Sequence, residues 1–380
     1  MSYSDLSAHA SMLFDETRNR AYLEAMRAVI TPESVVLDLG AGVGVLGLLA
    51  AKLGARRVYC VEPAPVGLHI PALAAANGVG DRVELLRGRV EDIALPEQVD
   101  VLVSVFTGTL LFTEGLMPSL YHARDRWLKP GGAMIPDRAR LQFAAVEAAE
   151  PHAEAVGIFA KSSLDIDYAR LAGLPANLMS KLSRKDGKAI QASTSCMAVE
   201  LNLRTTHQQD IRWEGVLEAT RDATLHGLLG WIELQLASAW LSTGIDQQEV
   251  HWQPMLLPVA EPMSVKRGES IKAGFRFVDD AQVYWSLAAG GRTQRQSTVL
   301  GDPDLAIDMM LSSPACNAPL RQEGEVVAWV LAAMRAGQAN RQIAEGLMVD
   351  MPGRFRDERE AIKRVGALAA RYRRHPSRHA

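Results

Sequence analysis

Four short apolar runs punctuate the first 140 positions: Val35–Leu39, Val58–Val61, Val83–Leu86 and Val101–Ser104. Each is brief and almost uniformly apolar, the pattern of a strand buried on both faces of a parallel sheet. Leu46–Leu53 and Gly67–Asn77 carry helical patterns between them. The result is the βαβα alternation of a doubly wound sheet. The segment Leu128–Pro136, LKPGGAMIP, predicts a turn on Pro130, Gly131 and Gly132 followed by another strand.

The pattern then changes. Between about 141 and 310, strand-like alternations recur, as in LQFAAVEA, MAVELNL, IRWEGVLEA, IKAGFRFV and VYWSLAAG. They predict an antiparallel sheet or β-barrel. Residues 152–190 interrupt it with a less regular, more helical stretch that reads as an arm. From about 320 the pattern is helical: EVVAWVLAAMRAG, NRQIAEGLMVDM and REAIKRVGALAARYRR, separated at Gly337 and at Met351-Pro352-Gly353. The expected division is a Rossmann-like domain over 1–140, a β-barrel domain over 141–315 and a helical extension over 316–380.

Composition narrows the class. Of 380 residues, 48% are apolar and 22% charged, which excludes a disordered chain or a collagen-like fibre. The net charge of −3 argues against a general polyanion binder, so a nucleic acid partner is not expected. The last sixty residues carry a local basic excess, read as a solvated helix face and tail. Cys60, Cys196 and Cys316 are far apart and odd in number, so neither a disulfide framework nor a structural metal site is expected, and a reducing cytoplasm is. The amino terminus lacks a signal-peptide pattern, and no apolar run is long enough to span a membrane. His69, His122, His152, His207 and His226 show no ligand spacing. Trp231, Trp240 and Cys60 read as core packing.

The strongest chemical signal is VVLDLGAGVGV, residues 35–45. A strand ends in Asp38; Gly40, Gly42 and Gly44 follow, and then a helix begins. Glycines allow a tight turn and close approach of backbone to ligand. The next strand ends in Glu62, where a carboxylate can accept hydrogen bonds from ribose hydroxyls. A dinucleotide site wants G-x-G-x-x-G and a pyrophosphate at the helix N-terminus. Here the third glycine comes early, and Asp38 would repel a pyrophosphate. A carboxylate beside the loop suits a ligand bearing an ammonium and a sulfonium, which points to S-adenosylmethionine, with S-adenosylhomocysteine as product.

From Tyr3 to about residue 310 the chain resembles the protein arginine methyltransferases. HASMLFDETRNRAY is similar to the family's cofactor-covering helix, with His9, Met12, Asp15 and Arg18 at its characteristic positions and Tyr3 at that of its aromatic lid. The resemblance implies that Arg18 pairs with the cofactor carboxylate. It also implies that Glu62 binds the ribose and that Val90 and Glu91 flank the adenine. Val250-His251-Trp252 stands where the family has Thr-His-Trp. The resemblance places Asp15 near His251, a pair read either as a general base with its orienting carboxylate or as a pin between barrel and helix. It further implies a helical arm that makes a head-to-tail homodimer. The short IAEGL-bearing helical tail resembles small peptide-recognition modules, and an extra helical cap is the other reading of it.

One departure matters. The family's catalytic hairpin carries two glutamates that clamp the substrate guanidinium. Here the second is Glu114, whereas Val105 replaces the first, and the methionine after it is Thr107. Losing one partner of a buried cation typically costs several kcal/mol, and each ~1.4 kcal/mol is tenfold in rate. The sequence therefore predicts a diverged enzyme methylating a peptide or small-metabolite acceptor, with Glu114, Asp15 and His251 in the acceptor pocket. A true arginine methyltransferase with a carboxylate supplied from elsewhere, and a cofactor-binding but catalytically weak partner subunit, are the alternatives.

Overall fold

A computed structural model describes residues 6–372 except 161, 169, 170, 172, 184–188, 303, 305, 306, 308, 309 and 312. Two compact units divide the chain, residues 1–306 and 307–380.

The first unit opens with helices α1 (Leu6–Leu13) and α2 (Glu16–Arg27). Asp15 caps α2 by accepting the Arg18 N–H at 2.9 Å, which satisfies one of the helix's orphan donors. Then come β1 (Val35–Leu39), α3 (Val45–Lys52), β2 (Arg57–Glu62), α4 (Ile70–Ala76), β3 (Val83–Arg87), β4 (Val99–Ser104), α5 (Met117–Trp127) and β5 (Leu128–Ile135). The five strands form a parallel sheet in the order β3-β2-β1-β4-β5. Every residue of β1 is buried, in keeping with its unbroken apolar run. The strand order reverses between β1 and β4, so the crevice for a ligand opens at the carboxyl ends of those two strands.

Two local expectations need correction. Gly67–Asn77 is not one helix: Pro65–His69 forms a 3-10 turn and α4 follows it, with Pro65 and Pro71 near the starts of the two pieces. Residues 130–132 do not form a free turn ahead of a strand. Gly131 adopts a φ of 79°, and β5 absorbs the extra residues as an irregularity in its register against β4.

Beyond residue 137 the architecture becomes antiparallel. A seven-stranded sheet is built around Arg138–Glu147, Ala223–Leu236 and Met255–Val265. A four-stranded sheet runs Ile211–Glu218, Ser270–Phe277, Val283–Ala289, Arg292–Ser297. Phe143 of the first sheet packs its ring against Trp213 and Phe275 of the second, with centroids 5.1 and 4.7 Å away. Trp231 is buried, whereas Trp240 is only partly covered and carries the Arg140 guanidinium 3.8 Å above its ring, so it serves as a cation–π platform rather than core. The described residues between 149 and 181 form short pieces, among them the helix Ala149–Ala155, the 3-10 turns Gly157–Ala160 and Pro175–Asn177, and a small hairpin, Ser162–Ser163 with Ile166–Asp167.

The second unit contains the helices Gln322–Arg335, Asn340–Asp350 and Glu358–Tyr372 around their own core of Val326, Val330, Ile343, Leu347, Val365 and Leu368. Gly337, with a φ of 77°, ends the first of them. No described helix is long and apolar enough to cross a membrane.

Candidate functional site

The glycine loop leaves β1 at the sheet's switch point. Gly40, Gly42 and Gly44 all take left-handed φ values, 70°, 57° and 87°. A side chain on any of them would strain the loop. At Gly40 the space where a Cβ would sit is open, which leaves the backbone accessible to a ligand. Asp38 is 2% exposed and accepts the Gly47 N–H at 2.7 Å, in the first turn of α3. Burial pushes its pKa up to about 7; the Gly47 hydrogen bond opposes this and the neighbouring Glu62 charge adds to it.

Glu62, at the end of β2, is also buried. One oxygen accepts the Gly42 N–H at 2.8 Å and the other the Ala64 N–H at 2.7 Å. Its carboxylate thus fastens the glycine loop to β2, and each oxygen keeps lone-pair capacity for a further donor. Val90 is buried, and the neighbouring Glu91 accepts hydrogen bonds from Ser119 and Arg89. Burial raises the Glu91 pKa, but the Ser119 hydrogen bond, the backbone N–H of Glu91 itself and Arg89 together outweigh it and lower it from the usual carboxylate value.

Arg18 projects from α2 and is 3% exposed. Its guanidinium donates to the Met12 carbonyl at 2.6 Å and to the Asn19 side chain at 2.6 and 3.1 Å. These acceptors are neutral, and among the described residues the guanidinium makes no ion pair with a carboxylate. Burial pulls its pKa down, which marks an undercompensated cation.

The structure brings Asp15 and His251 together across 236 positions of sequence. One Asp15 oxygen accepts both the His251 backbone N–H, at 2.7 Å, and Nδ1, at 2.9 Å. Burial raises the Asp15 pKa, but the hydrogen bonds from His251 and Arg18 prevail and lower it. Burial lowers the His251 pKa and prevails over Asp15. The pair is therefore a carboxylate and a neutral imidazole. A carboxylate only accepts, so the proton sits on Nδ1 and Nε2 is the basic atom.

The hairpin after β4 carries the remaining candidates. Val105 is half-buried and packs against the main core. Thr107 is buried; its carbonyl accepts the Trp252 indole N–H at 3.1 Å, which ties the hairpin to the residue after His251. Glu114 is exposed and takes a left-handed φ of 76°. Its backbone N–H donates to Asp280 at 2.8 Å. Tyr3 and the His9 side chain lie outside the described residues, and Met12 is half-buried beside Arg18.

Three contributors escaped sequence reasoning. The Tyr22 hydroxyl donates to the Ser104 carbonyl at 3.0 Å, which seats α2 against the end of β4. Ser119 holds Glu91, and Asp280 reaches Glu114 from a turn in the four-stranded sheet. All three are contacts between distant segments, for which no local spacing rule exists. Outside the site, His152 and His226 form a buried ring pair, and no group of three or more His, Cys, Asp or Glu suited to a metal occurs among the described residues. Cys60 is fully buried, and burial pushes its thiol pKa well up.

Comparison with known proteins agrees with this geometry. Family models match a methyltransferase domain over residues 36–132 and an arginine methyltransferase oligomerization subdomain over 137–285. Protein arginine N-methyltransferase 1 of Schizosaccharomyces pombe is 30% identical over 282 residues, covering 71% of this chain and 82% of that protein. Protein arginine N-methyltransferase 8-B of Danio rerio is 29% identical over 280 residues, covering 71% and 66%. In fold, the chain is similar to a Trypanosoma brucei PRMT1 enzyme–prozyme heterotetrameric complex with AdoHcy, with a TM-score of 0.70, 24% identity and 78% and 99% of the two chains covered. Arabidopsis thaliana protein arginine methyltransferase 10 gives a TM-score of 0.66 at 24% identity, again with 78% and 99% covered. The chain therefore belongs to the protein arginine methyltransferase family and is an S-adenosylmethionine-dependent methyltransferase.

Proposed function

We propose that this enzyme methylates a peptide or small-metabolite acceptor other than an ordinary protein arginine. The observation that carries this reading is Val105. The first clamp position holds an apolar side chain packed into the core, so that strand end offers no carboxylate to a guanidinium.

In this reading residues 1–140 bind the cofactor and residues 141–315 form the substrate and dimerisation domain. Arg18 pairs with the cofactor's carboxylate, Asp38 faces its ammonium, Gly40 and Gly42 let the backbone approach, and Glu62 takes the ribose hydroxyls. Val90 and Glu91 flank the adenine, while Tyr3, His9 and Met12 cover the site. The fit rests on Arg18, a buried cation that a ligand carboxylate would complete. The bound cofactor supplies a methyl group on a sulfonium leaving group. The chain's own residues orient the acceptor for in-line attack, chiefly by positioning. Glu114 anchors the acceptor, and His251, oriented by Asp15, receives a proton at Nε2.

The test pairs two measurements on one sample. Calorimetry reads S-adenosylmethionine binding; methyl transfer is then assayed to free arginine, to arginine-rich peptides and to hydroxyl, carboxyl and other nitrogen acceptors. Binding is expected, with transfer to a non-arginine acceptor that falls at least roughly tenfold in Glu114→Gln. Robust arginine transfer would overturn the acceptor reading. It would favour a guanidine enzyme, and the Asp280 carboxylate beside Glu114 is the observation on that side. Binding with no transfer to any acceptor until a related chain is added would favour the weak partner subunit, as the enzyme–prozyme organisation of the Trypanosoma brucei neighbour suggests.

The proposed assembly is a cytoplasmic homodimer joined through the arm. Its support is the oligomerization-subdomain match and the apolar side chains the arm exposes, Ile158, Leu164 and Ile166, with Leu164 at 93%. Sedimentation should find a dimer that Leu164→Asp weakens, and a wild-type monomer at micromolar concentration would refute it.

Asp38 gives this reading a pH signature. With a pKa near 7 in the folded chain against 3.8 ordinarily, it holds a proton that the unfolded chain releases at lower pH. Its ionisation therefore costs stability as pH rises from about 4 to about 7. The cationic ligand reverses that preference. Binding near pH 6.5 should expel a proton, and affinity should rise with pH up to about 7 and then level off. Calorimetry in two buffers of different ionisation enthalpy reads the proton, and Asp38→Asn should abolish its release. Equal release by wild type and variant would exclude Asp38 as the source.

A further inference from the structure

We propose that Asp280 is a positioning residue that sets the conformation of Glu114 from the four-stranded sheet. The inference rests on the reading of Glu114 as an acceptor-side group, and it does not depend on which acceptor is methylated.

The hairpin is held against its own backbone preferences. Leu111, Glu114 and Gly115 all take left-handed φ values, 62°, 76° and 62°. Two of these carry side chains, for which that region is disfavoured and persists only where the surroundings impose it. Leu111 is clamped internally, by its bridge to Gly108 and by burial. For Glu114 the backbone partner is Asp280 Oδ1, which accepts its N–H at 2.8 Å. A rotation of Glu114 to right-handed φ would turn that N–H away and swing the Cα–Cβ bond with it.

Asp280 suits this task because its own support is rigid. It sits in the turn after Ser270–Phe277. The Asp279 side chain there accepts the Ala281 and Gln282 N–H groups at 2.9 and 2.8 Å. Val278 N–H closes the turn onto the Gln282 carbonyl at 3.1 Å, and Thr298 donates to the Ala281 carbonyl. The same strand end also grips the hairpin through apolar contact, since Phe277 stacks on Phe112 with centroids 5.8 Å apart and planes 28° apart. One rigid segment thus holds the hairpin at two points: Phe277 fixes its position, and Asp280 fixes the backbone at the glutamate. The glutamate's direction is accordingly set by an element 166 residues away.

The role is that of a hydrogen-bond acceptor, so asparagine should fill it and alanine should not. The test uses the full chain with S-adenosylhomocysteine bound, comparing Asp280→Ala, Asp280→Asn and wild type. Amide exchange is read across residues 108–117. Methyl transfer is read with arginine–glycine, lysine, serine and histidine peptides as probes. Asp280→Ala should speed exchange at 114–115 about tenfold or more. It should also lower kcat for whichever probe the wild type methylates by roughly ten- to hundredfold, the usual penalty for a misplaced group. KM for S-adenosylmethionine and the melting temperature should stay at wild-type values, and Asp280→Asn should restore both exchange and kcat to within about threefold.

Unchanged exchange in Asp280→Ala would overturn the inference. So would an Asp280→Asn variant as impaired as Asp280→Ala, because that would assign the role to the charge. Glu114→Gln separates this from the reading beneath it. If that variant keeps full activity while Asp280→Ala still loosens the hairpin, Glu114 loses its acceptor role and the pinning stands.

Discussion

Replacing Arg18 with methionine is expected to raise the S-adenosylmethionine dissociation constant by at least about a hundredfold, or about 2.7 kcal/mol. The cofactor-free chain should melt at or above the wild-type temperature. Both halves follow from one geometry. The guanidinium is buried among neutral acceptors, the Met12 carbonyl and the Asn19 amide, and burial already depresses its pKa. Desolvating an unpaired charge costs several kcal/mol that three hydrogen bonds to two neutral acceptors offset only in part. A methionine of similar length removes that cost and leaves a packed apolar stem. The ligand's carboxylate then finds no fork to receive it. Calorimetry and thermal melting on the same preparation read the two effects. A variant that bound the cofactor normally would remove Arg18 from the site. A variant that also melted far lower would show that the guanidinium serves the fold instead.

The second large effect is expected at Asp15. Asp15→Ala should cost about 2–4 kcal/mol of stability, from a lost helix cap and lost hydrogen bonds to a charged acceptor. It should also reduce methyl transfer at least roughly a hundredfold, since it leaves both the start of α2 and His251 without their shared link. His251→Ala divides the effect. If His251 is the base, its own variant should lose kcat with little change in cofactor affinity. The wild-type rate should then hold through the ordinary histidine range and fall only at lower pH, because burial keeps the imidazole neutral to a lower pH than usual. If the pair is only a pin, His251→Ala should retain most of kcat and lose stability instead. The stability due to the buried neutral imidazole is itself lost as pH falls from 6.5 through its depressed pKa, since the unfolded chain takes the proton first.

The parallel sheet was legible in the sequence for a simple reason. Strands covered on both faces are apolar nearly throughout, so β1, β2 and β4 stand out as short apolar runs, whereas β3, at the sheet edge, is largely uncovered and the expectation of burial on both faces fails there. The glycine loop was legible because left-handed backbone favours glycine. The two prolines that split residues 65–76 were visible, yet their effect depends on whether the chain can restart a helix, which local pattern does not state. Trp240 was misjudged because its exposure is decided by Arg140 on another strand. The candidate site divides the same way. Asp38 and Glu62 could be proposed from position at strand ends. Arg18, Asp15 and His251 were proposed through family resemblance, since nothing local marks a buried arginine or joins residues 236 positions apart. Tyr22, Ser119 and Asp280 had no signal at all, because each acts by reaching an element that only tertiary packing brings near.

That separation of 236 residues also orders events during synthesis. The segment bearing Asp15 leaves the ribosome 236 residues ahead of His251. At roughly 5–20 residues per second the interval is some tens of seconds. For that time the parallel sheet, complete by residue 135, can form and seat α2 through Tyr22, but the start of that helix lacks its link to His251. A nascent chain of this enzyme thus carries its Asp15 latch open until His251 is made, well after the sheet itself is complete.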